Sequence, residues 1–423
     1  METHLLPEVL ATSEGRDADS ILRACVHCGF CTATCPTYQL TGDELDGPRG
    51  RIYLIKRALE GEEVSGSTQL HLDRCLTCRS CETTCPSGVR YGRLVDIGRK
   101  YVEERVLRTP VDAARRAALR RSLLSRSLFG AALTLGRLAR PFLPRALASA
   151  IPGQQRARGA WPAPRHSRRI VIALGCVQPS LAPNIDAATA RLLDRAGISA
   201  IGVEGGGCCG AISYHMAEHD EARAIARRNI DAWWPHIERG AEAIVMTATG
   251  CGVMLRDYEH VFAGDPAYAA KAARITALTR DPSEVIAAEW ERLAPLISTS
   301  PKRGTLAFHP PCTLQHGFKI RGEVERLLAD AGYTLVHVPD AHLCCGSAGT
   351  YSILQPEFAG QLKENKLRAL TAERPQVIAS ANIGCMTHLQ SGTDIPIRHW
   401  IELIDELVAS PVPVRVPAAA VVP

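Results

Sequence analysis

No stretch of this chain approaches the ~20 consecutive apolar residues that a bilayer span requires, so a transmembrane anchor is not expected. Residues 1–20 are polar and acidic with no apolar h-region, so no secretory signal is read. A Gly-rich dinucleotide fingerprint is missing, which argues against a flavin or nicotinamide site on this chain. No obvious base for abstracting a substrate proton stands out either. Lysine is absent between residues 105 and 169, where fifteen arginines meet a single acid, Asp112. That segment carries +14 of a net +5, leaving −9 for the remainder. Aromatics do not interleave with those arginines and no nucleic-acid module surrounds them, so nucleic acid is not an expected partner.

Cysteine, by contrast, is abundant: sixteen in 423 residues, a length that suggests about three domains. Without a secretory signal, metal-bound thiolates in a reducing compartment are the consistent reading. Eight of the sixteen form two copies of one pattern, Cys25-x2-Cys28-x2-Cys31-x3-Cys35-Pro36 and Cys75-x2-Cys78-x2-Cys81-x3-Cys85-Pro86. This is the iron–sulfur ligation run of bacterial two-cluster ferredoxins, in which the fourth cysteine serves the other cluster. The expected ligands are Cys25, Cys28, Cys31 and Cys85 for one [4Fe–4S] cluster, and Cys75, Cys78, Cys81 and Cys35 for the other. Paired zinc knuckles would leave the third and fourth cysteines over. Pro36 and Pro86 are expected to end each coil after its last ligand. Ile52, Ile55, Ala58 and Leu59 between the copies have helical spacing, so the module reads as helical, and Tyr91–Val106 is a further candidate helix.

Residues 1–24 read as a frayed start and a short helix. Residues 107–167 mix leucine and arginine, as in Leu119–Leu124 and Leu138–Leu143. Such a segment suits either a basic amphipathic helix on an anionic surface or a connector whose leucines pack on its neighbours, and the second is preferred for the leucines. The charge excess still argues for an acidic surface nearby. Residues 151–167 are proline-rich and read as a loose linker.

From residue 168 the pattern alternates strand and helix. Strands are expected at Arg169–Cys176, Ser199–Val203 and Ala243–Met246, with a helix over Ile185–Ala196. A second set follows at Thr305–Phe308, Thr334–Val338 and Gln376–Ala379, with a helix over Gly322–Ala331. Each set carries one cysteine, then a Cys-Cys-Gly, then another cysteine: Cys176, Cys208, Cys209, Cys251, and Cys312, Cys344, Cys345, Cys385. The first gap is 31 residues in both sets, and the next is 41 and 39. Two homologous α/β half-domains with parallel sheets are expected, their cysteines just past strand ends, where open parallel sheets bind ligands. The expected architecture is thus α+β and multidomain: a helical ferredoxin-like module (1–105), a basic linker (106–167), cysteine-rich domains (168–298 and 299–410) and a Pro/Val/Ala-rich tail (411–423).

Several stretches carry a family likeness: Ile21–Cys31, Glu44-Leu45-Asp46-Gly47-Pro48-Arg49-Gly50-Arg51, Asn229–Pro235 and His342-Leu343-Cys344-Cys345-Gly346-Ser347-Ala348-Gly349-Thr350-Tyr351. With them the chain resembles the iron–sulfur subunits of bacterial glycolate oxidase (glycolate dehydrogenase) complexes. The wider group includes heterodisulfide reductase subunits, lactate-utilisation proteins and the third subunit of anaerobic glycerol-phosphate dehydrogenase. The resemblance implies two [4Fe–4S] clusters and no flavin here. It implies FAD-containing partner subunits that oxidise glycolate, with electrons passed toward a quinone or other acceptor. The implied location is cytoplasmic, peripheral to the inner membrane. The equivalent subunit of a lactate or glycerol-phosphate dehydrogenase, and a metal-stabilised scaffold, are the alternatives. Heterodisulfide reductase relatives end such domains in C-x2-C and bind a cluster with five cysteines. Here Met254 and His388 stand where the fifth would be, so a third cluster on the eight later cysteines is left open, with His388 as an extra candidate ligand. His309 and His316 beside Cys312 are expected to orient the loop rather than ligate, and Trp233 and Trp234 to be core or interface aromatics.

Overall fold

The computed structural model describes residues 1–144, 151–153, 156–297 and 303–408. The expected tail 411–423 lies outside the described residues, as do parts of the expected linker at 145–150 and 154–155.

The first hundred residues are helical. Helices Ser13–Ala24, Pro48–Leu59 and Tyr91–Glu103 pack around a core that includes Leu22, Ile55, Leu59, Leu94 and Val95. Ile52, Ile55, Ala58 and Leu59 are all buried, as their spacing requires. The start of the chain is not frayed. The Met1 amino group donates to the Cys25 carbonyl at 2.6 Å, and the Thr12 hydroxyl caps Ser13–Ala24 by accepting from Gly15 N. Pro36 does not end a coil but opens the helix Pro36–Thr41 at its first position, where a missing N–H costs nothing. Pro86 sits in a turn.

Two helices follow, Pro110–Leu124 and Arg126–Ala139, with Ser125 both ending the first and capping the second. Each cysteine-rich region then forms a four-stranded parallel sheet. β1 (Arg168–Ile172), β2 (Ile198–Gly202), β3 (Ala243–Val245) and β4 (Thr279–Arg280) are ordered β2-β1-β3-β4. β5 (Thr305–His309), β6 (Thr334–Leu335), β7 (Val377–Ser380) and β8 (Ile397–His399) repeat this as β6-β5-β7-β8. Chain connections leave in opposite directions from β1 and β3, and from β5 and β7, which opens a crevice at the carboxyl ends of each pair.

The halves are interlocked. The helix after β8, Trp400–Asp405, packs on Asn184–Arg195 of the first half, and the helix after β4, Pro282–Ala288, packs on Glu323–Asp330 of the second. Asn184 donates to Glu402 at 2.6 Å and Arg191 pairs with Asp405 at 2.6 Å across the first of these contacts. Trp233 and Trp400 are both fully buried in the shared core, while Trp234 is half-buried at its edge.

Candidate metal centres

The cysteine loops of the first module share an unusual backbone. Two and four residues after its first cysteine, each loop enters the left-handed region: His27 at φ 58° and Gly29 at 85°, Thr77 at 52° and Arg79 at 60°. These turns curl the loop so that its thiols face one space. A β-branched residue such as Thr77 rarely adopts this conformation. It is held there by Arg99, whose Nη1 donates to Thr77 Oγ1 at 2.9 Å and whose Nη2 donates to the Cys75 carbonyl at 2.6 Å.

Cys25, Cys28, Cys31 and Cys85 line one cavity of about 430 Å³, and Cys81 also lines it. Cys35, Cys75, Cys78 and Cys81 line a second of about 300 Å³. The cavities share Pro48, Cys81 and Tyr91 as a wall. Burial, then the neighbouring Cys25, push Cys31 up to about 11, and burial also raises Cys25, Cys78 and Cys81. A thiol this reluctant to ionise needs a cation to hold it as thiolate, and iron in an iron–sulfur cluster meets that need. All sixteen cysteines are free thiols. The donor set and the open cavities therefore fit two clusters.

Groups that the spacing rules did not single out surround the second cavity. Tyr91 OH donates to Cys75 Sγ at 3.6 Å, and the Thr37 hydroxyl lies 3.3 Å from Cys35 Sγ. Arg51, 1% exposed, lines the same cavity. Burial alone would lower its pKa, but Tyr91, Cys75, Cys35 and Asp46 outweigh it and hold the charge. Its Nε donates to the His71 carbonyl at 2.7 Å, and its Nη2 lies 3.5 Å from Asp46 Oδ1. Asp46 also pairs with His71 at 2.8 Å and Arg74 at 2.9 Å. The signal was in the Glu44–Arg51 stretch, which supplies both members of this buried pair.

The later cysteines converge as two quartets at the sheet crevices. Cys176 follows β1 and Cys251 follows β3, with Cys208 and Cys209 making a continuous run of neighbouring thiols between them. The second quartet repeats this: Cys312 Sγ lies 3.9 Å from Cys344 Sγ, Cys344 neighbours Cys345, and Cys345 neighbours Cys385. Gly210 and Gly346 follow the Cys-Cys pairs at φ 91° and 88°. Cys78 of the second cavity sits in the same apolar cluster as Cys312 and Cys344.

The histidines fall out differently from expectation. His316 does orient its loop, with Nδ1 at 2.8 Å from Thr83 Oγ1 and Nε2 at 3.2 Å from the His342 carbonyl. His388 contacts the Ala359 carbonyl at 3.2 Å through Nε2. His309 is 1% exposed, and neither ring nitrogen has a hydrogen-bond partner. Its ring orients nothing by hydrogen bonding. Its ring nitrogen and the sulfurs of Cys345 and Cys385 all lie within 4.8 Å of one another.

Comparison with known proteins agrees with these elements. A 4Fe–4S dicluster domain matches residues 21–89, and a cysteine-rich domain matches residues 170–256 and 306–390. The glycolate oxidase iron–sulfur subunit of Escherichia coli (strain K12) is 52% identical over 96% of this chain and 99% of its own length. The probable glycolate oxidase iron–sulfur subunit of Bacillus subtilis (strain 168) is 28% identical over 88% of each chain. Lactate utilization protein A of Exiguobacterium sp. is 26% identical over 56% of this chain and 97% of its own length.

Proposed function

The chain belongs to the family of glycolate oxidase iron–sulfur subunits, and from that premise we propose that it carries electrons from FAD-containing subunits, which oxidise glycolate to glyoxylate, toward a quinone or other acceptor. Cys25, Cys28, Cys31 and Cys85 would hold one [4Fe–4S] cluster, and Cys75, Cys78, Cys81 and Cys35 the other. When bound, these groups supply one-electron redox chemistry. The observation that carries the reading is the shared wall: two cysteine-lined cavities abut through Pro48, Cys81 and Tyr91.

The chain's own residues give the two cavities different environments. Cys28 is exposed, and Val26 and Phe30 beside it are 66% and 62% exposed, so the first cavity opens to the surface where a redox partner could approach. The second is closed over by Leu76, Tyr91 and the second cysteine-rich domain, which keeps water from Cys75 and Cys81. Arg51 supplies a fixed positive charge beside Cys35 and Cys75.

We further propose a membrane contact through the helix Arg126–Ala139 and the turn after it. Leu128, Leu135, Leu138 and Phe142 are all exposed at roughly helical spacing, and an anionic lipid surface is the occupant we assign to them. No helix among the described residues is long and apolar enough to cross a membrane.

The test uses the assembled complex. In Cys28→Ser and Cys78→Ser variants, glycolate should still bleach the flavin absorbance while acceptor reduction falls to background. Unchanged acceptor reduction in both variants would remove the assignment.

A further inference from the structure

We propose that His309 is the imidazole ligand of a thiophilic metal centre in the second cysteine-rich domain, together with Cys345 and Cys385. This adds a ligand to the electron-transfer reading above.

Three independent observations converge on this site. The first is the orphaned ring. A buried imidazole with both nitrogens unpaired loses water on both sides and recovers nothing. Coordination of one nitrogen would supply that missing partner. The second is spacing. Bonds of about 2.3 Å to sulfur and about 2.0 Å to nitrogen place the ligands of a tetrahedral ion some 3.5–3.8 Å apart. The atoms of His309, Cys345 and Cys385 lie within 4.8 Å of one another, and Cys312 and Cys344 are 3.9 Å apart. Cys344, whose thiol contacts that of Cys345, is the fourth ligand we assign.

The third is charge. Lys366 is 3% exposed, and its ammonium donates to the Asp340 carbonyl at 2.7 Å, with the Ala341 carbonyl 3.4 Å away. No carboxylate pairs with it there. Burial lowers its pKa, and the groups that act the other way, in favour of the ammonium, are the sulfurs of Cys345 and Cys344, Asp340 and the sulfur of Cys312. Three thiolates and a neutral imidazole on a divalent ion leave a net negative charge, which a buried ammonium offsets.

The first cysteine-rich domain works as an internal control. Its residue three before Cys176 is Ala173, where His309 stands three before Cys312. Gly210 abuts the Ala222 carbonyl as Gly346 abuts that of Ala359, and the same register places neutral Asn229 opposite Lys366. Asn229 spends its amide on the Cys208 carbonyl at 2.7 Å. Ligand and counter-charge are thus both present in the second domain, and both are replaced by neutral residues in the first. The position matters as well, because Cys312 and Cys344 share an apolar cluster with Cys78.

The test is elemental analysis and X-ray absorption on anaerobically purified full-length chain. Wild type should hold about one zinc or iron beyond the ~eight irons of two cubane clusters, with one nitrogen and three sulfurs in its shell. His309→Ala should lose that equivalent and keep the eight irons, and His309→Cys should regain it with a sulfur-only shell. About four extra irons, lost in His309→Ala, would identify a cluster in place of a single ion and still uphold the imidazole ligand. A sulfur-only shell in wild type, no metal beyond eight irons, or an undiminished count in His309→Ala would overturn the proposal. If His309→Ala fails to fold, the wild-type shell alone decides. None of these readings uses glycolate, so a failed electron-transfer assay and a failed metal assignment are told apart.

Discussion

Arg51 is the residue whose environment makes the strongest demand. A guanidinium out of water is tolerated only when its donors and charge are met, and here one side faces the Asp46 carboxylate while the other faces Cys35 and Cys75. Asp46 depends equally on Arg51, Arg74 and His71. Arg51→Met keeps the volume of the stem but strands part of a buried carboxylate. The expected loss is about 3–5 kcal/mol of stability, read by anaerobic denaturant unfolding of the iron-loaded protein. Arg51→Lys should recover only part of it, because an ammonium cannot reach the His71 carbonyl, Thr37 and Asp46 as the planar fork does. A loss below about 1 kcal/mol in Arg51→Met would show that the pair is dispensable. The dicluster domain was legible in the sequence because its two cysteine runs are defined by spacing within a few residues. Arg51 lay in the Glu44–Arg51 stretch with its partner Asp46 five residues away, but its place beside Cys75 and the His71 carbonyl comes from packing of a later segment. His309 was not legible, because no local pattern reports a missing hydrogen-bond partner.

Among the elements, the strand ends carry the later cysteines. β1, β3, β5 and β7 are runs of buried Ile, Val, Leu and Ala, readable as strands because both faces are covered. β4 and β8 went unread. They are two and three residues long, too short for any periodicity, and pairing with β3 and β7 defines them. The exchange of helices between halves was equally invisible, since nothing local distinguishes packing on one half from packing on the other. The turn after each Cys-Cys pair permits a comparison of elements in the two halves. A Cβ on Gly346 would lie 2.8 Å from the Ala359 carbonyl oxygen, and one on Gly210 would lie 3.2 Å from that of Ala222. Both positions also have positive φ, a conformation that costs an L-residue roughly 1–2 kcal/mol. Gly346→Ala should therefore destabilise more than Gly210→Ala, the first by more than ~2 kcal/mol and the second by about 1–2 kcal/mol. Thermal unfolding of the two variants side by side checks the order, and a reversal would mean that the second turn relaxes more easily than its backbone contacts suggest.

For the whole molecule, the question is where the basic segment spends its charge. Arg108 and Arg116 both reach Asp73, at 2.8 and 2.7 Å, and Arg120 reaches Glu218 at 2.5 Å. Arg165 pairs with Asp194 at 2.6 Å, and Arg168 with Glu242 at 2.9 Å and Glu289 at 2.8 Å. Much of the +14 is therefore neutralised by the protein's own acids, which lie largely in the −9 remainder, and it serves to fasten the linker to the flanking domains. The leucines divide: Leu133 packs into the core, Leu124 packs against Cys176, Cys208 and Ile225, and Leu119, Leu123 and Leu143 are half-buried, as expected of a connector, while Leu128, Leu135 and Leu138 face outward with Phe142. Lipid attachment through this helix should then depend more on apolar insertion than on charge. Each inserted leucine is worth ~1.5–3 kcal/mol, whereas an arginine near an anionic surface adds about 1 kcal/mol that salt screens. Flotation with anionic vesicles should show the wild-type chain bound at low salt and still largely bound at ~0.5 M salt, where the screening length falls to a few ångströms. Leu135→Glu/Leu138→Glu should lower the vesicle affinity by more than ~10-fold at either salt concentration, since two side chains that insert would each carry a charge. Binding that vanishes with salt but survives the double substitution would move the contact from this helix to the arginines. No binding by the wild type would assign the exposed leucines to a subunit of the complex instead of to lipid.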